Sequence, residues 1–381
     1  MLNYFIFILL SLISIIHLPA QPVPAAEQLD TYISLLKDKR IALVCNQTSR
    51  IGNTLLVDSL LKLNIRIVKI FSPEHGFRGD EDAGKWIKSG IDEKTQLPII
   101  SLYGKNKKPD PASLQDVDMI LFDIQDVGVR FYTYISTLHY IMESCAENNI
   151  PLIVLDRPNP LGFYVDGPVL DTANRSFVGM HPVPLVHGMT VGEYAQMLNG
   201  EHWLKNGEQC KLTIIPCKNY THRSRYLLPV KPSPNMSTMT SVYLYPSLGL
   251  FEGTVVSIGR GTDFPFQVIG HPLLKYKYTF SFVPQSKNGA TTPIQKGKKC
   301  FGLDLRHSFD TLFTLKYLMD IYHDFSNKKD FFNSYFTKLC GDKRVQKAIV
   351  EGKSEIEIRR LWEPQVEAFK KIRQKYLLYP E

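Results

Sequence analysis

From residue 40 onward, short apolar runs alternate with stretches of helical spacing. The apolar runs are Ile41–Cys45 (IALVC), Ile65–Phe71 (IRIVKIF), Ile99–Leu102, Met119–Ile124 (MILFDI) and Pro151–Leu155 (PLIVL). Val183–Val186 and Leu212–Ile215 extend the series. Between them, Leu55–Leu63, about Tyr132–Asn148 and about Val191–Leu198 repeat apolar positions with a helical period. Near-continuous apolar strands separated by helices predict a parallel sheet covered on both faces. The pattern thus predicts an open doubly wound α/β domain, with 26–225 as its span. Around 226–240 the texture changes to prolines and polar residues (LLPVKPSPNMSTM), which predicts a linker or irregular loop. Beyond it come the β-like runs Thr254–Ile258, Phe266–Ile269 and Tyr278–Val283. Helical stretches follow at about Phe309–Asp324, Phe331–Val350 and Glu355–Tyr376. Residues 226–381 are therefore expected to form a second, smaller α+β domain.

The first residues carry a different pattern. Phe5–Ile16 is apolar except for Ser11 and Ser14. A run of that length suits the core of a signal peptide, whereas a membrane span needs about 20 apolar residues. No Lys or Arg precedes the run. Val23 and Ala25, or the residues around Ala20, supply small side chains for cleavage. Residues 1–25 are read as a signal peptide. The mature protein is expected to be exported, periplasmic or secreted, with no membrane anchor after cleavage. The six cysteines, Cys45, Cys145, Cys210, Cys217, Cys300 and Cys340, match no zinc or redox spacing and read as plain buried residues. A net charge of +8 suits contact with an anionic polymer without choosing which one.

Candidate chemistry follows from where the polar residues fall. In open α/β sheets, ligands bind beyond the carboxyl ends of the strands. After the first run come Asn46, Gln47 and Thr48. After the second comes Ser72-Pro73-Glu74-His75-Gly76-Phe77-Arg78-Gly79, and after the third Tyr103-Gly104. Gln125, Asp126 and Arg130 follow the fourth, Asp156-Arg157-Pro158-Asn159-Pro160 the fifth, and His187-Gly188 the sixth. Carboxylates, histidines, arginines and amides converging on one sheet edge make a site for a polar, hydroxyl-rich ligand. No glycine-rich dinucleotide fingerprint and no P-loop occur, so nucleotide binding is not expected. Each residue also has a structural reading. Glu74 is equally able to cap a helix or pair with Arg78, and His75 to be a satisfied structural histidine. Asp123 suits a buried hydrogen-bonding carboxylate, with Arg130 and Arg157 neutralising such groups. Asp156–Pro160 suits a rigid turn, Asn235 a turn amide, and Gly259-Arg260-Gly261-Thr262 a hairpin.

Six ordered segments carry a resemblance. They are Phe71–Gly79 (FSPEHGFRG), Asp123–Tyr134 (DIQDVGVRFYTY), Leu155–Gly162 (LDRPNPLG), His187–Thr190 (HGMT), Ser233–Met236 (SPNM), and Phe251–Thr254 (FEGT) running into Gly259–Thr262 (GRGT). With Tyr376–Tyr379 at the C-terminus, the chain resembles the exo-β-N-acetylmuramidase family from about residue 40 to its end. The resemblance implies a Rossmann-like domain, an auxiliary domain and a cleft between them. It also implies a hydrolase that removes β-1,4-linked N-acetylmuramic acid from the non-reducing end of peptidoglycan fragments. Substrates would be MurNAc-GlcNAc or muropeptides, with no nucleic acid, cofactor or metal. The sequence departs mildly from the family at Val165-Asp166-Gly167-Pro168, at His187 after Val186, and near Tyr245-Pro246.

The family's catalytic glutamate corresponds to Glu74, the expected general acid, with His75 holding or relaying its proton. Asp123, Asp126 and Glu252 are candidates for the partner carboxylate, beside attack by the sugar's own 2-acetamido group. Arg130 or Arg260 is expected to grip the lactyl carboxylate of muramic acid. Asn46, Arg78, Tyr132, Asp156, Arg157, Asn159, His187 and Asn235 complete the expected substrate contacts. A sugar- or muropeptide-binding protein without turnover is the first rival reading. The second is a metal-dependent hydrolase using His75, Asp123 and His187.

Overall fold

The computed structural model describes residues 20–74, 76–77 and 90–381. Helix α1 (Leu29–Leu36) precedes strand β1 (Ile41–Cys45), a hairpin of β2 (Arg50–Ile51) and β3 (Thr54–Leu55), and helix α2 (Leu56–Lys62). Then come β4 (Ile67–Ser72), β5 (Gly90–Ile91), β6 (Pro98–Ser101), β7 (Met119–Asp123), α3 (Tyr134–Glu147), β8 (Leu152–Leu155), α4 (Val191–Gly200) and β9 (Leu212–Ile215). Seven strands form one sheet in the order β5-β6-β4-β1-β7-β8-β9. Every pairing is parallel except the edge pair β5–β6. Leaving that edge strand aside, this is the doubly wound 3-2-1-4-5-6 order, whose crevice opens where the winding reverses. Here that is between β1 and β7, paired from Ile41↔Met119 to Cys45↔Asp123.

The apolar runs read as strands because each must fill two cores. Side chains alternate faces along a strand. Ala42, Val44, Ile120, Phe122, Leu152 and Val154 enter one core with α3 and α4, and Ile41, Leu43, Cys45, Leu121, Ile153 and Leu155 the other with α1 and α2. Each buried aliphatic side chain contributes roughly 1.5–3 kcal/mol. A charge at Leu43, which is fully buried, would break this packing.

The C-terminal part holds α5 (Met239–Leu248) and a small antiparallel sheet, ordered β10-β12-β11, of β10 (Val268–His271), β11 (Ser281–Phe282) and β12 (Cys300–Asp304). Helices α6 (Lys316–Asp324), α7 (Phe336–Cys340), α8 (Lys343–Val350), α9 (Glu355–Arg359) and α10 (Glu363–Arg373) follow. Its apolar side chains join the α3/α4 core, which runs continuously from Ala42 to Phe369.

Several expected elements differ. Val183–Val186 makes only isolated bridges, from Val186 to Val129 and Asp166, and Thr254–Ile258 likewise bridges only at Thr254 and Ser257. The helix expected over Phe331–Val350 breaks at Gly341, whose φ of 81° closes α7. That expected over Glu355–Tyr376 restarts at Glu363, with a proline in its first turn. Helix α5 was not expected, because burial of every residue from Ser241 to Leu248 except Tyr243 erases any apolar stripe. The expected linker at 226–240 is packed: Gln47 Nε2 donates to the Lys231 and Pro232 carbonyls, each at 3.2 Å. The apolar run Phe5–Ile16 lies outside the described residues. Among the described residues, no helix is long and apolar enough to cross a membrane. All six cysteines are free and buried.

Candidate active site

At the carboxyl edge of the large sheet, a cavity of about 330 Å³ lies between the sheet and the C-terminal part. Glu74 enters it from just beyond β4. Tyr103 and Lys107 come from the loop after β6, and Phe131, Tyr132, Thr133 and Tyr134 from the entry to α3. Phe177 and Val178 close one side. The C-terminal part supplies Tyr245, Glu252, Arg260, Phe266 and Tyr335, with Ser233 and Met236 from the packed crossing segment.

Glu74 is held from two directions. Thr133 Oγ1 donates to its Oε2 at 2.9 Å. The Tyr103 hydroxyl also hydrogen-bonds to it, and burial together with the Glu74 charge pushes the Tyr103 phenol up. Thr133 occupies the N-cap position of α3 yet makes no capping bond with its side chain. A hydroxyl cap is usually worth about 0.5–2 kcal/mol, so helix stability yields here to positioning of the carboxyl group. Across the cavity, Arg260 pairs with Glu252 and lies 5.2 Å from the Phe266 ring centroid. Phe266 is buried in the left-handed region at φ 56°, an unfavourable conformation for a bulky residue. Tyr245 joins the wall with edge-on contacts to Phe131, Tyr132 and Phe266 at 5.1, 5.9 and 4.9 Å.

Of the residues expected from the sequence, Glu74, Tyr132, Glu252 and Arg260 line this cavity. The Tyr132 hydroxyl is bonded to the Pro232 carbonyl at 2.7 Å, so its ring rather than its oxygen faces a ligand. The other described residues form the layer beneath or elsewhere. Asp123 is fully buried and gripped by Arg157, with Nε and Nη2 donating at 2.5 and 2.9 Å. Neither is open to a sugar. Asp156 accepts from Thr190 Oγ1 (2.7 Å), Gly192 N (2.8 Å) and Tyr379 Oη (2.5 Å), which ties the start of α4 to the chain end. Burial pushes its pKa up to about 6. Asn46 Oδ1 accepts from Thr48 N and Oγ1. Asn159 bridges Met189 O and Leu161 N, and Asn235 Nδ2 donates to Gly289 O. His187 lies 3.9 Å from Asp126, and burial drives its pKa down to about 3, so the ring is neutral at working pH.

Arg130 corrects the expectation of a carboxylate grip. Its guanidinium is fully buried and donates to four backbone carbonyls, those of Pro168, Val183, Leu339 and Cys340. No face of it is left for substrate. His75 and Arg78 lie outside the described residues. The sequence reading missed the side-chain roles of Tyr103 and Thr133, and it missed Lys107, Tyr245, Phe266 and Tyr335. Thr133 lay within the Asp123–Tyr134 segment and Tyr103 at a strand end, so both were findable; Lys107 lies further along the Tyr103 loop, and Tyr245, Phe266 and Tyr335 sit beyond the sheet-edge rule.

Comparison with known proteins agrees with this architecture. Residues 41–240 match the family described as exo-beta-N-acetylmuramidase NamZ, N-terminal, and residues 243–379 its C-terminal counterpart. The chain is 41% identical over 382 residues to peptidoglycan beta-N-acetylmuramidase NamZ of Bacillus subtilis, covering 92% of this chain and 89% of that one. A DUF1343 family protein from Bacteroides fragilis superposes with a TM-score of 0.89 at 47% identity, covering 95% of this chain and all of the other. A second from the same organism gives 0.81 at 29%, covering 94% and 99%. With both halves matched and the fold shared, the chain belongs to the exo-β-N-acetylmuramidase NamZ family.

Proposed function

We propose that the chain is an exo-acting glycoside hydrolase that releases β-1,4-linked N-acetylmuramic acid from the non-reducing end of peptidoglycan fragments. The observation that carries this is Glu74, oriented by Thr133 and Tyr103 in a cavity whose other carboxylate, among the described residues, is Glu252. Glycoside hydrolysis needs an acid for the leaving oxygen and negative charge or a nucleophile for the anomeric carbon. Glu74 acts as the acid. Glu252 supplies the second function in preference to Asp123 and Asp126, because among these it alone lines the cavity. Its ion pair with Arg260 fixes its direction. A cavity at the small end of ligand pockets accepts a terminal sugar rather than a long glycan, which suits exo attack.

The test is release of chromophore from the 4-nitrophenyl β-glycoside of N-acetylmuramic acid, with the N-acetylglucosamine glycoside as control. Release from the first is expected. Glu74→Gln keeps the shape and removes the acid, so turnover should fall on the order of 10²–10⁴-fold. Near wild-type turnover in that variant would remove Glu74 from the mechanism. Tight binding of intact MurNAc-GlcNAc without any product would favour a binding protein instead. The apolar run Phe5–Ile16 supports export to the periplasm or beyond.

A further inference from the structure

Muramic acid differs from glucosamine by a lactyl ether that ends in a carboxylate, so a site that prefers it needs an available cation. Two cations line the cavity among the described residues, Arg260 and Lys107. Arg260 is paired with Glu252, which cancels its charge. Lys107 has no carboxylate partner among the described residues. Its Nζ sits 4.7 Å from the centroid of the Phe177 ring. That contact holds the ammonium without neutralising it and leaves its N–H donors for an acceptor. The shelf beneath is itself fixed: Phe177 stacks on Tyr140 at 6.3 Å and meets Tyr103 edge-on at 6.4 Å. The adjacent Lys108 is engaged elsewhere, with Glu147 at 2.7 Å and Glu143 at 3.3 Å.

The charge count points the same way. A general acid carries its proton when it acts, so Glu74 is then neutral, and Glu252 and Arg260 cancel. Among the described residues that line it, Lys107 then leaves the cavity with one positive charge, matched to a monoanionic sugar. We propose that Lys107 is the specificity-determining residue that binds the lactyl carboxylate. This deepens the muramidase reading above and rests on it.

The test uses the chain from about residue 21 onward and three 4-nitrophenyl β-glycosides: N-acetylmuramic acid, its lactyl methyl ester and N-acetylglucosamine. In Lys107→Met, kcat/KM on the acid should fall about 30-fold, chiefly through KM, the scale of one charge-assisted hydrogen bond. On the methyl ester it should stay within about twofold of wild type, because the ester has no charge to lose. Lys107→Arg should keep most of the preference for acid over ester. Phe177→Leu, which removes the shelf but not the charge, should give a smaller loss confined to the acid. Equal losses on acid and ester, or an unchanged acid-to-ester ratio in Lys107→Met, would overturn the assignment while leaving the hydrolase reading intact. Failure of wild type to cleave any of the three would overturn the hydrolase reading itself, and this inference with it.

Discussion

Asp126, just past β7, is 5% exposed, and one of its oxygens accepts from the Gly128 N–H at 2.6 Å. Burial outweighs that bond and pushes its pKa up to about 7. An unfolded aspartate titrates near 3.9. Between those values the folded protein keeps a proton that the unfolded chain releases, so this residue's contribution to stability falls as pH rises, levelling off above about 7. Asp156 acts in the same direction, while His187, pushed down to about 3, acts in the opposite one. The wild-type pH profile is thus a composite, and the difference from Asp126→Asn isolates one group. The Asn variant should match wild type in stability near pH 4, gain steadily up to about pH 7 and level off above it, by about 4 kcal/mol at most. A difference that stays flat across that range would mean Asp126 titrates as an ordinary carboxylate. The same residues show what the sequence could convey about the site. Position at a strand end was legible for Glu74, Asp123, Asp126 and Asp156 alike. Which of them faces the cavity depends on side-chain direction and on partners as distant as Tyr379, and only Glu74 does. Lys107 was hidden in a run of lysines that differ only in their neighbours.

At the scale of elements, the central strands β1, β4, β7 and β8 were legible because they are buried on both faces and so are mostly apolar. Helix ends and the C-terminal part were less so: single residues such as Gly341 and Pro364 set the breaks, and α5 is buried on nearly all sides. The N-terminal boundary is a case where packing refines a pattern. Val23 exchanges backbone hydrogen bonds with Lys218 at 2.8 and 2.9 Å, and Ala25 N donates to Asp156 O at 3.0 Å. Ala25 and Ala26 are fully buried. Cleavage after Ala25 would remove the Val23 bridge and place a new charged terminus in the core, which is costly. Cleavage near Ala20 leaves all these contacts in place. If the run Phe5–Ile16 directs export as proposed, intact-mass analysis of the protein recovered outside the cytoplasm should find a chain starting at about residue 21. A chain starting at Ala26 would show that the Val23 bridge is dispensable.

At the scale of the whole molecule, the cavity exists only if the sheet and the C-terminal part keep their relative placement, and Arg130 sits at that junction. Its Nη1 binds carbonyls of the sheet-side segment and its Nη2 those of Leu339 and Cys340 at the end of α7. Carbonyls at a helix C-terminus carry partial negative charge and favour a cation. Burial nevertheless pulls the guanidinium down to about 10, still charged at neutral pH. Gly341 permits the approach, since a Cβ there would stand 2.6 Å from Arg130 Nη2. Arg130→Lys keeps the charge but cannot reach four acceptors with one ammonium. It should lower stability by about 3–5 kcal/mol, read as a reduced urea midpoint. Among molecules that remain folded, the preference for the muramic over the glucosamine glycoside should be unchanged, because Arg130 does not line the cavity. A variant of normal stability that lost this preference would return Arg130 to the substrate and displace Lys107 from that role.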